Sequence, residues 1–131
     1  MMRLSRSTEY AIRILHYLYN YEDKDELVTA HMLAQATGIT YPVTIKIANQ
    51  LLGKGHIKSV QGRRGGYRIA KRDGDISIYD VVLAVEGDIQ ISPTPGIEAR
   101  CSMQSYFNQV QKVVVDTLSS QYVADFAAIQ Y

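Results

Sequence analysis

The chain has 131 residues, 47% of them hydrophobic and 21% charged, a balance that fits one folded domain and excludes compositional disorder. Its one cysteine excludes an intrachain disulfide framework and cannot alone fill a zinc site, and no apolar run approaches the roughly 18 residues of a membrane span. The net charge of +1 hides an asymmetry: residues 1–72 hold 12 Lys/Arg against 5 Asp/Glu, and residues 73–131 hold 2 against 8. With no apolar signal core in the first residues, the expectation is a cytoplasmic protein with no membrane partner.

Ala11, Ile14, Leu15 and Leu18 recur at helical spacing, so residues ~6–20 read as an amphipathic helix with Ser5 as N-cap. A polar loop follows at Tyr21 to Glu26. Thr29 caps a short second helix that buries Ala30, Leu33 and Ala34, and Gly38 stops it. Thr40 caps a third, with Pro42 in the first turn, where a missing N–H costs little. It runs to about Leu52 and ends at Gly53 and Gly55. Two helices joined at a glycine turn form a helix-turn-helix pattern. At about 100° per residue, Ile47, Ala48, Leu51 and Leu52 share one side of the third helix, and Pro42, Lys46, Asn49 and Gln50 the other. The outer face is polar without a carboxylate, a chemistry matched to base edges in a major groove.

Two short β-like runs follow, Ile57 to Val60 and Tyr67 to Ala70. Between them lies Gln61-Gly62-Arg63-Arg64-Gly65-Gly66, a glycine-rich hairpin tip with two cations. It is not a phosphate-binding P-loop, because no Gly-Lys-Ser/Thr closes it and a strand rather than a helix follows. From Leu27 to Arg72 the chain has no acidic residue and eight basic ones: Lys46, Lys54, Lys58, Arg63, Arg64, Arg68, Lys71 and Arg72. This suggests a polyanion-facing winged helix.

Ser77 caps a fourth helix with Asp80 at N3, and Gly87 ends it. Residues 88–100 contain Pro93, Pro95 and Gly96 without periodicity and read as a loop. Met103, Tyr106, Phe107, Val110, Val113, Val114, Thr117 and Leu118 then follow helical spacing for about four turns. So long an amphipathic helix has too little partner surface in its own chain, and pairing with a second copy is the expected completion. Tyr106, Phe107, Val110, Val113, Val114 and Leu118 are the candidate dimerisation residues. Ser119 or Ser120 starts a last short helix through Phe126 to Ile129.

Between residues 2 and 88 the chain resembles the Rrf2 family of bacterial transcription regulators. The matching segments are Arg3-Leu4-Ser5, Glu9-Tyr10-Ala11, Leu33-Ala34, Gly38-Ile39-Thr40, Ile57 to Val60, Gly62 to Ala70, and Ile76 to Val81 with Ala84-Val85-Glu86-Gly87. The resemblance implies a mostly α-helical fold with a small β-hairpin wing, and a homodimeric repressor whose two reading heads address a palindromic operator on double-stranded DNA. It also implies a division into a DNA-binding domain at 1–87, a sensor-region loop at 88–102, and a dimerisation helix with its tail at 103–131.

The sequence departs from that pattern in three places. Many members carry three cysteines before the long helix that ligate an iron–sulfur cluster, and only Cys101 stands there. One thiolate does not hold a conventional cluster, so no such cofactor is expected. A recognition-helix glutamate of the family is replaced by Ile45, and a wing arginine by Gln61.

The expected DNA contacts are Arg3, Lys58, Gln61, Arg63, Arg64 and Arg68 at phosphates or in the minor groove, and Thr40, Tyr41, Pro42, Lys46 and Asn49 against base edges. A second reading is a redox or small-molecule sensor working through Cys101, and a third is regulation through a protein partner. Tyr79, Tyr106 and Phe107 are candidates for lining an effector pocket. Catalysis is the weakest class. His16, His31 and His56 sit on different elements, where core or surface roles are expected, and no nucleophilic triad or paired-carboxylate motif occurs.

Overall fold

The computed structural model describes residues 3–21, 26–70, 74–93 and 100–127. Helix α1 (Arg6–Asn20) begins at Ser5, whose hydroxyl accepts from the Ser7 N–H, as the N-cap assignment requires. Its buried stripe is Ala11, Ile14, Leu15 and Leu18, the four positions the periodicity singles out. Helix α2 (Ala30–Thr37) is capped by the Thr29 hydroxyl, which accepts from Met32 N–H, and stops at Gly38 with φ +72°. Helix α3 (Tyr41–Gly53) starts at Thr40 without the expected side-chain cap bond, and the buried Thr44 hydroxyl donates to the Thr40 carbonyl.

The hairpin pairs β1 (Ile57–Val60) with β2 (Gly66–Ile69) antiparallel, Ile57 opposite Ile69 and Val60 opposite Gly66. Ile57 and Ile69 are buried and anchor the wing to the helices. Val28 adds a third rung through N–H to C=O bonds exchanged with Tyr67, at 2.9 and 2.7 Å. At the tip, a Cβ on Gly65 would stand 2.2 Å from the Val60 carbonyl oxygen, and one on Gly66 (φ +153°) 2.7 Å from that of Val28. Both positions therefore require glycine.

Helix α4 (Ile78–Val85) opens with a complete capping box: Ser77 accepts from Asp80 N–H, and Asp80 accepts from Ser77 N–H. Helix α5 (Ser102–Ser119) packs against α4 but buries no residue fully. The expected helix after Ser119 is a single 3-10 turn, Val123–Asp125; Ile129 lies outside the described residues. Propensity misleads here because this stretch bonds back to the reading head instead of to itself. Ile78 N–H donates to Gln121 C=O, Val123 N–H donates to Ile76 C=O, and Val123 is buried among the core side chains.

One core joins α1–α4, the hairpin root and Val123. Fully burying each of its Ile, Leu and Val side chains is worth about 1.5–3 kcal/mol, and this fixes α3 and the wing relative to each other. Among the described residues no helix is long and apolar enough to cross a membrane.

Candidate nucleic-acid interface

Helix α3 buries Thr44, Ile47, Ala48 and Leu51, which turns Thr40, Tyr41, Pro42, Lys46 and Asn49 outward, all exposed. Gln50 departs from the outward face expected for it: it is half-buried, with a buried Oε1. Between α3 and the wing runs an open groove of about 460 Å³, bordered by His31, Tyr41, Ile45, Asn49, Gln61, Arg63 and Tyr67. Among the described residues no carboxylate lines it. Tyr67 keeps its phenolic proton, since burial first and the neighbouring Tyr41 second push it above its ordinary value of 10.0.

Gln61, Arg63 and Arg64 stand exposed at the wing tip. Lys46, Lys58, Arg63 and Arg64 make no ion pair among the described residues, whereas Arg13 is bound to Glu9 at 2.6 Å and Lys112 to Asp116 at 3.0 Å. Lys58 lies directly opposite Arg68 in the hairpin register. Like charges facing each other across a strand pair destabilise it by roughly 0.2–1 kcal/mol. A pair kept at that cost is suited to an external polyanion.

Arg3 is placed elsewhere. It borders a second, largely apolar cleft of about 450 Å³ between the start of α1, the end of α4 and α5, with Leu4, Val82, Ile89, Ile91, Val114 and Leu118. Tyr79, Tyr106 and Phe107 do not line this cleft. Glu86 fixes its rim by accepting from Ser5 N–H at 3.0 Å, from the Thr8 hydroxyl at 3.1 Å and from the Ser5 hydroxyl. Partial burial pushes the Glu86 carboxyl up, but these hydrogen bonds outweigh it and hold it below its ordinary 4.5.

The apolar stripe of α5 divides. Leu118 packs on the core of its own chain and Val114 turns into the cleft. Phe107 and Val110 are half-buried, Phe107 meeting the Tyr106 ring edge-on at 5.5 Å. Met103, Tyr106 and Val113 remain 63%, 62% and 55% exposed.

Sequence reasoning missed the clasp between α5 and the loop after α4. Gln111 Oε1 accepts from Ser92 N–H at 3.1 Å and from Ile91 N–H, its Nε2 donates to Ile89 C=O, and Ser92 shares a 2.6 Å bond with Asn108. The amide supplies both the acceptor and the donor for this, and nothing local in the sequence marks it. Cys101 is exposed at the N-cap of α5.

A family model described as "Rrf2: Iron-dependent Transcriptional regulator" matches residues 4–129. The chain belongs to the Rrf2 family. It is a DNA-binding transcriptional regulator with a winged helix, in a family of regulators rather than of enzymes. The NsrR regulator of Geobacillus kaustophilus is 36% identical over 69% of this chain and 60% of its own length. That of Bacillus licheniformis is 24% identical over 95% and 91%. CymR, the global cysteine regulator of B. subtilis, has the same fold at a TM-score of 0.74 and 21% identity, with 95% of each chain covered. IscR of T. potens matches at 0.71 and 23%, covering 95% of this chain and 85% of its own.

The Rrf2 description names iron, and the donors here do not fit a cluster. The chain has one thiol, and among the described residues no three His, Cys, Asp or Glu side chains are grouped to hold a metal.

Proposed function

We propose that this Rrf2 chain is a cytoplasmic homodimeric repressor that binds a palindromic operator without an iron–sulfur cluster. The observation that carries the reading is the groove between α3 and the wing, lined by no carboxylate and edged by Lys58, Arg63 and Arg64 without an ion pair among the described residues. Residues 1–87 form the reading head. Thr40, Tyr41, Pro42, Lys46 and Asn49 lie against base edges, while Arg3, Lys58, Gln61, Arg63, Arg64 and Arg68 hold the backbone or enter the minor groove.

Residues 88–102 form the signal-receiving loop, and 103–131 the pairing helix and tail. Pairing uses Tyr106, Phe107, Val110 and Val113, while Val114 and Leu118, expected on the same face, pack on their own chain. Its support is a five-turn helix with no buried residue and three large apolar side chains more than half exposed. Replacement of the family's recognition-helix acid by Ile45 gives an operator preference of its own.

Selection of duplexes from a randomised pool, followed by sedimentation of the complex, tests this. An inverted repeat bound by two chains is expected. Enrichment of an asymmetric site bound by one chain, or no enrichment, overturns it.

A second reading places the signal at Cys101, whose exposure at the start of α5 makes it accessible to oxidants. Mass spectrometry after mild peroxide is then expected to show an adduct that lowers operator affinity. An unmodified thiol assigns the signal to a small molecule or a protein partner.

A further inference from the structure

His31 stands exposed near the start of α2 and stacks on Tyr41 of α3, with ring centroids 4.2 Å apart and planes inclined by 15°. Both rings line the groove between α3 and the wing. The other ionisable groups lining it are Arg63 and Tyr67 from the wing, and α2 holds no ionisable side chain besides His31. Of the side-chain types in this lining, imidazole is the one whose charge is suited to change within the physiological pH range. The stack also restricts the imidazole before any ligand arrives, which lowers the ordering cost of a new contact.

We propose that His31 is a proton-dependent contact to the sugar–phosphate backbone of the duplex lying in this groove. The contact rests on the DNA-binding reading of the groove. The imidazolium donates an N–H to a phosphate oxygen, whereas the neutral ring lacks the charge that makes such a bond strong. A phosphate against the ring favours the charged form, so DNA binding takes up a proton. The sign follows: affinity rises as pH falls through the ordinary histidine range near 6.5. If the phosphate raises the proton affinity of the ring about tenfold, binding tightens roughly sixfold per chain from pH 8 to pH 6.

The test is fluorescence anisotropy at fixed salt with a duplex selected by the wild-type chain at pH 7. The wild type, His31→Gln and the Arg63→Ala/Arg64→Ala double variant are each titrated at pH 6 and pH 8. The wild type is expected to tighten about sixfold per chain at pH 6. His31→Gln is expected to lose most of the tightening between pH 8 and pH 6, the ratio of its two affinities being the readout. The arginine variant is expected to be weaker at both pH values but to keep the pH ratio. An unchanged pH ratio in His31→Gln, equal weakening at both pH values, or no pH dependence in the wild type overturns the His31 contact and leaves DNA binding standing. No binding at either pH overturns both.

Discussion

Replacing Arg63 and Arg64 together by alanine isolates the electrostatic work of the wing. Both side chains are exposed and make no ion pair among the described residues, so their removal leaves no buried charge behind. Each arginine that neutralises one phosphate releases counterions, and log affinity then falls with log salt by about 0.9 per contact. Two contacts per head lower the steepness of the salt dependence by about 1.8 for each head, about 3.6 for the two heads of the proposed pair. The same relation makes the two arginines of one head worth about 60-fold in affinity at 0.1 M salt and about 20-fold at 0.2 M. Anisotropy titrations of wild type and double variant at several salt concentrations read both quantities at once. Two parallel lines would refute the assignment of the tip to phosphate, whatever their separation. Equal melting temperatures confirm that only binding has changed.

Three further outcomes follow from contacts elsewhere. Gln111→Ala removes three hydrogen bonds to Ile89, Ile91 and Ser92 and is expected to cost about 1.5–3 kcal/mol in urea unfolding, with faster amide exchange at Ile91 and Ser92. Glu86 has a folded-state pKa below 4.5, so its stabilisation is complete above that pH and is lost as pH falls through the lowered value. Wild type should therefore lose more thermal stability than Glu86→Gln between pH 6 and pH 3.5, and parallel losses would remove Glu86 from the account. Gly65→Ala drives a methyl into the Val60 carbonyl and is expected to destabilise by about 2 kcal/mol and to weaken DNA binding while far-UV dichroism keeps the helical signal.

The helices, caps and hairpin were legible because their signals are local. Ser77 and Asp80 stand three apart, Gly38 closes a helix, and apolar periodicity names the buried stripe of α1. The acid-free run likewise pointed to α3 and the wing. What escaped depends on residues far apart in sequence. Glu86 reaches Ser5 across 81 positions, and Gln111 reaches Ile89 across 22. The 121–123 segment bonds to residues 76–78, which no period reveals, and so it was read as helix. His31 reads as a core or surface residue and is exposed; only its stacking on Tyr41 leaves no trace in spacing.

Helix α5 is fastened to its own chain twice, near its middle by Asn108 and Gln111 to residues 89–92, and beyond its end by Tyr122 and Val123, which return to the reading head. Such a strut has no free hinge. In the proposed pair these fastenings hold each head at a set distance from the pairing helix, so the spacing of the heads is carried by the protein as a ruler.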